Sequence, residues 1–337
     1  MATDASLRAD ARKRRVVLLV ASAAAVAAGA VVGVTVFQTH GEHTTVPGAV
    51  TKARPGPPPL QLEFSLTESP EARALAQGET LLDKDRKAEQ AAAIFRRYHS
   101  LEAQLGTLFA GWTGPESLPA VKRLVAAHPH EPAALLNLGW ADYQAGRNAD
   151  AVAAWRRTAS EFPDSPYGVD AEDALHPTTI PGLPIIVTGL VPPGSIGSLP
   201  PAQQLAALKR DAAKNDARAQ ILYGAALWNL RRPLSAERQF AAAAKLSPHD
   251  PLARALAAVG LFSKARPVRA FGQLGPLTGV FPHSAAVQFH LGVLLLYVGE
   301  RAKAARHLSA AVTDGPRSPY AKPARTLLTS LGHTRSK

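Results

Sequence analysis

Two hydrophobic patterns divide the chain. From Val16 to Phe37 the run "VVLLVASAAAVAAGAVVGVTVF" holds no charged residue. At 1.5 Å per residue it makes about 33 Å of helix, enough to cross a hydrocarbon core of about 30 Å. Beyond residue 69 the pattern changes to short apolar and polar alternations rich in Ala, Leu, Arg and Glu, broken at intervals by Pro and Gly. Ala loses no side-chain entropy in a helix, so this region is expected to be helical. One stretch alone, "PIIVTGL" from Pro184 to Leu190, has the composition of a strand.

Within the helical region a single segment recurs. "ALLNLGWADYQAGRNADAVAAWRRTASEFP" runs from Ala134 to Pro163, and its Gly139 is matched by Gly224, Ala258 and Gly292. Ala151 is matched by Ala236, Ala270 and Ala304, Trp155 by Phe240, Leu274 and Leu308, and Pro163 by Pro248, Pro282 and Pro316. The last three members of each series stand 34 residues apart, and the first lies 85 before the second. Two small residues at fixed places suit a close crossing of two helices, with the bulky residue filling the space beside it. The proline ends the second helix.

Small, small, bulky and proline at this period resemble the tetratricopeptide repeat family, in particular its membrane-anchored bacterial members. The resemblance implies an all-α solenoid of antiparallel helix pairs. The expected organisation is a basic cytoplasmic segment over 1–15, a transmembrane helix over 16–37, a Pro/Gly-rich linker over 38–68, and N-terminal helices over 69–131 that are degenerate repeats or a cap. There follow a repeat over 132–165, an interrupted repeat over 166–216 with an apolar insertion at 177–199, three repeats over 217–318, and a capping helix over 319–332. Gly275, Pro276 and Gly279 predict a shortened or kinked second helix in the middle one of those three.

The resemblance also implies an inner surface lined by one face of each first helix. By register its members are Trp140 and Tyr143; Arg218, Ile221, Trp228 and Asn229; Ala255, Val259 and Phe262; and Phe289, Val293, Leu296 and Tyr297. Relatives that grip a terminal carboxylate use Lys, Arg and Asn there, whereas Ile221, Ala255 and Phe289 share one recurring inner place here. An apolar groove with aromatic anchors suits an amphipathic helix or a hydrophobic peptide. The alternative is that the insertion folds back and fills it.

Composition narrows the function classes. The chain has no cysteine, which removes disulfides, thiolate metal sites and cysteine nucleophiles. "PPGSIGS" carries Pro193 where a nucleophile elbow needs its first glycine, no phosphate-binding glycine loop is present, and the acidic residues are scattered. The pairs His40/His43 and His128/His130 have no further ligands at recognised spacing, and His290 and His307 fall inside helices. No catalytic, cofactor or metal site is expected.

The four basic residues Arg12 to Arg15 keep the N-terminus cytoplasmic and place the solenoid outside the membrane, unless residues 16–37 are cleaved as a signal peptide. The net charge of +12 and the basic stretch after Arg301 suit an anionic lipid or envelope polymer, whereas nucleic-acid binding lacks the interleaved aromatics it needs. These features describe an extracytoplasmic scaffold for protein partners, or else a basic envelope-binding protein.

Overall fold

A computed structural model describes residues 52–333. The basic segment, the expected spanning helix 16–37 and the start of the linker lie outside the described residues. Among the described residues no helix is long and apolar enough to cross a membrane. The same residues are helix, turn and extended coil, with no strand.

The chain divides into two compact units, 52–175 and 176–333. The N-terminal unit contains α1 (Pro70–Asp83), α2 (Ala88–Phe95), α3 (Leu101–Ala110), α4 (Leu118–Ala127), α5 (Pro132–Gln144), α6 (Asn148–Glu161) and α7 (Pro166–Leu175). The C-terminal unit begins with extended chain and contains α8 (Gly194–Gly197), α9 (Pro201–Ala212), α10 (Ala217–Asn229), α11 (Pro233–Leu246), α12 (Pro251–Gly260), α13 (Val268–Leu274), α14 (Leu277–Val280), α15 (Ala285–Tyr297), α16 (Arg301–Asp314) and α17 (Ala321–His333).

The helix hairpins of the recurring segment are α5–α6, α10–α11, α12 with α13 and α14, and α15–α16, each packed against its partner helix. Their starts follow from sequence. Asp216, Asp250 and Ser284 cap α10, α12 and α15 by accepting hydrogen bonds from first-turn N–H groups that have no partner within the helix. Pro132, Pro233 and Pro251 occupy first-turn positions where the missing N–H costs nothing. Between the helices of three pairs the chain turns through a left-handed residue, Gly146 (φ 78°), Arg231 (φ 57°) and Gly299 (φ 80°), all in one register.

The small residues lie where the helices approach most closely. A Cβ on Gly224 would stand 2.7 Å from the Phe240 ring, and one on Gly292 would stand 2.8 Å from Leu308. A Cβ on Gly139 would collide with the Trp155 indole. Ala151, Ala236, Ala270 and Ala304 are fully buried on the opposing helices. The same device operates before the recognised repeats, where Phe95 of α2 fills the space over both Gly78 of α1 and Gly106 of α3.

Three features refine the sequence expectation. The second helix of the middle repeat breaks into α13 and α14 at Gly275 and Pro276, because proline cannot donate into the helical ladder. The stretch expected to form one interrupted repeat is divided between the units, with α7 packing on α5 and α6, and α9 on α10. Pro184–Leu190 forms neither helix nor strand, so its main chain must find other partners.

Candidate functional site

The inner-face residues of the C-terminal unit lie together, beneath a segment of the unit's own chain. Ile221, Trp228, Ala255, Val259, Phe262, Phe289, Val293 and Tyr297 belong to one buried cluster that also contains Ile186 and Val187 of the insertion. Leu296 is half-buried against the same cluster. Arg218 and Asn229 are exposed.

Trp228, Tyr297 and His290 meet the main chain of the insertion. The Trp228 indole N–H donates to the Pro184 carbonyl at 2.8 Å, and the Tyr297 hydroxyl donates to the Leu183 carbonyl at 2.7 Å. The Val187 N–H donates to His290 Nε2 at 3.3 Å. Nδ1 of that ring stands 2.7 Å from the Ala286 carbonyl, which can only accept. Nδ1 therefore carries the proton, leaving Nε2 free to accept. Complete burial holds the imidazole neutral and pushes its pKa down to about 4, against a smaller opposing effect of the Ala286 carbonyl. At the far end the Arg218 guanidinium donates to the Val191 carbonyl at 3.1 Å. Main-chain groups of Leu183, Pro184, Val187 and Val191 are thus met by side chains of the helices.

The N-terminal unit repeats the arrangement with a different segment. The portion of the expected 38–68 linker that the structure describes lies on α5 and α1 from Arg54 onward. The Asn137 side chain accepts from the Gln61 N–H at 3.0 Å and donates to the Gln61 carbonyl at 2.9 Å. The Gln144 amide donates to the carbonyls of Pro55 and Gly56 at 2.8 and 2.7 Å. The Arg54 guanidinium lies over the Tyr143 ring, 3.5 Å from its centroid, and donates to the Tyr143 carbonyl. Tyr143 in turn packs with Trp140 and Trp155 at centroid separations of 5.8 to 6.1 Å. Leu60 is fully buried.

Two carboxylates one helical turn apart on α1 complete this cradle. Glu79 accepts from the Leu62 N–H at 2.9 Å and Asp83 from the Leu60 N–H at 3.3 Å. Burial raises Glu79 to about 7, partly opposed by the Leu62 hydrogen bond and assisted by the negative charges of Asp83, Glu63 and Asp170. Burial likewise raises Asp83 to about 6. On α5 burial also raises Asp142, although Lys122 lies 3.2 Å away and Arg147 3.4 Å away. Among the described residues no three His, Asp or Glu side chains converge to hold a metal.

The register brought in aromatic and aliphatic residues that share one buried cluster in the C-terminal unit. It omitted Asn137, Gln144, Glu79, Asp83 and His290, which hold the two segments. For Asn137, Gln144 and His290 the signal is polarity on an otherwise apolar helix, as in "AALLNLGWADYQ" and "AAVQFHLGVLLLY"; Glu79 and Asp83, in the mixed sequence "PEARALAQGETLLD", carry no such signal.

Comparison with protein-family models and with curated proteins gives no match. Among solved structures the chain is similar to the TPR2AB-domain:pHSP90 complex of yeast Sti1, with 13% identity, coverage of 78% of this chain and 98% of that one, and a TM-score of 0.30. Yeast Tom70 is similar at 11% identity, 81% and 52% coverage and a TM-score of 0.33. The APC/C hetero-tetramer Cut9-Hcn1 is similar at 13% identity, 78% and 49% coverage and a TM-score of 0.30. The chain spans about half the length of the latter two.

Proposed function

We propose that the protein is a membrane-anchored, extracytoplasmic scaffold for protein–protein interaction, serving assembly or maintenance of an envelope complex. The observation that carries this reading is the way the inner helix faces handle polypeptide. In each unit they hold a non-helical segment by hydrogen bonds from side chains to its main chain, which is a chemistry of peptide recognition. The anchor is the uncharged run 16–37, whose basic flank sets the orientation. Tethering at a membrane raises the local concentration of any partner in the same bilayer.

The test uses the exposed apolar residues Val191, Val268 and Val280. A photoreactive side chain at each, activated in intact cells, is expected to capture discrete protein partners in the membrane fraction. Capture of none from any of the three positions overturns the reading.

A second reading, binding to anionic lipid or envelope polymer, is favoured by the exposed Arg301, Arg306, Arg317, Lys322 and Arg325 on and between α16 and α17. Its mark is retention on anionic liposomes or cell-wall material that falls steeply with salt.

A further inference from the structure

The segment over the inner face of the C-terminal unit has the properties of a bound ligand. Residues 177–199 form a long connection whose only regular structure is the single turn α8. Connections of that length inside compact domains are uncommon and usually functional. The bound stretch is short. Leu183, Pro184 and Val187 make the main-chain contacts; Pro184, Ile186, Val187 and Thr188 are buried, and Leu183 and Ile185 are half-buried on the same cluster. On either side stand Gly182 (φ 76°) and Gly189 (φ 64°), left-handed positions that let the chain change direction, and beyond them Val191 is 73% exposed.

Recognition through the main chain asks little of the segment's own sequence. Trp228 and Tyr297 donate to carbonyls, and His290 accepts from an N–H, none of which distinguishes one extended peptide from another. Selectivity rests on the aliphatic side chains of Leu183, Ile185, Ile186 and Val187 and on Pro184, which fixes its own φ and disfavours helix before it. The surface beneath includes Trp228, Phe262 and Tyr297, too apolar to stay bare in water. Release therefore requires replacement.

Resting on the scaffold reading of the inner face, we propose that residues 183–188 are a resident occupant, exchangeable for a partner's extended segment carrying proline followed by consecutive aliphatic residues. The ligand is thus an extended strand read through its main chain, and the chain's own segment competes with it at the high effective concentration that covalent linkage gives.

The full chain with Ile186→Asp and Val187→Asp tests this, because two carboxylates cannot stay in that cluster unpaired. The probe is a fluorescent synthetic peptide, Leu-Pro-Ile-Ile-Val-Thr-Gly, read by anisotropy. It is expected to bind the double variant saturably and at least tenfold tighter than the unaltered chain, and a version with both aspartates is expected to bind neither. A helical double variant that binds no peptide, or equal affinity for both chains, overturns the proposal.

Should the double variant fail to fold, the unaltered chain decides. Excess peptide bearing a photoreactive group is expected to cross-link to α10 or α15, and cross-linking elsewhere or nowhere overturns exchange. A chain that captures partners in cells yet fails the peptide test keeps the scaffold reading and loses this one.

Discussion

Gly224 and Gly292 are places where two general tendencies oppose each other. Replacing a helical glycine by alanine ordinarily gains about 1 kcal/mol in propensity. Here the added methyl meets Phe240 or Leu308 at under 3 Å, and overpacking costs about 1–3 kcal/mol. Packing wins, so Gly224→Ala and Gly292→Ala are expected to lower the urea midpoint. Combining Gly224→Ala with Phe240→Leu is expected to cost less than the two single changes summed, because the smaller side chain vacates the space that the methyl enters.

Titration separates the two units at the same scale. The folded pKa of His290, about 4, lies below its ordinary 6.5, so the unfolded chain binds more protons between those values. Its contribution is complete above pH 6.5 and lost as the pH falls toward 4, about 3 kcal/mol over the window. Glu79 has the opposite sign. Raised from 4.5 to about 7, it binds protons more tightly in the folded state, and the N-terminal unit loses stability as the pH rises across that interval. Melts from pH 4 to 8 are expected to lose the acid slope in His290→Asn. In Glu79→Gln, which retains an acceptor for the Leu62 N–H, the melting temperature is expected to rise at pH 8 and stay unchanged at pH 4.5.

At the scale of elements, the extended segments act as components of the helical core. Asn137 is fully buried and satisfies both main-chain groups of Gln61 while donating also to the Ala133 carbonyl. Asn137→Ala leaves several polar groups without partners, each costing about 1–3 kcal/mol, so the N-terminal unit is expected to lose at least about 2 kcal/mol in chemical denaturation. Tyr297→Phe removes one hydrogen bond at the edge of a packed cluster and is expected to cost about 1 kcal/mol.

The contrast explains what could be read in the sequence. The helix pairs were legible because Gly224, Ala236, Phe240 and Pro248 return 34 residues later as Ala258, Ala270, Leu274 and Pro282, and packing imposes that order locally. The cradle for Gln61 was not legible, because Asn137 lies 76 residues away and nothing periodic links them. The composition of Pro184–Leu190 suggested a strand, and none forms there. The insertion's partners are Trp228, Tyr297 and His290, chosen by tertiary position and not by any alternation along the segment.

At the scale of the molecule, docking of the linker bears on how far the N-terminal unit can stand from the proposed anchor. With the main chain held from Arg54 onward, sixteen residues, 38–53, separate that point from the end of the apolar run. Even fully extended, at up to about 3.6 Å per residue, they span at most about 58 Å, so the N-terminal unit is expected to work close to the bilayer. The absence of cysteine makes orientation directly testable, since any thiol introduced is unique. Asp4→Cys and Val268→Cys place one on each side of the run 16–37, the latter at a position 72% exposed. A membrane-impermeant maleimide is expected to label the Val268 variant in intact cells and the Asp4 variant only after lysis, on a polypeptide of the full 35.5 kDa. Cleavage after the apolar run would instead separate the Asp4 thiol from the helical units, and labelling of the Asp4 variant but not of the Val268 variant in intact cells would reverse the assigned topology.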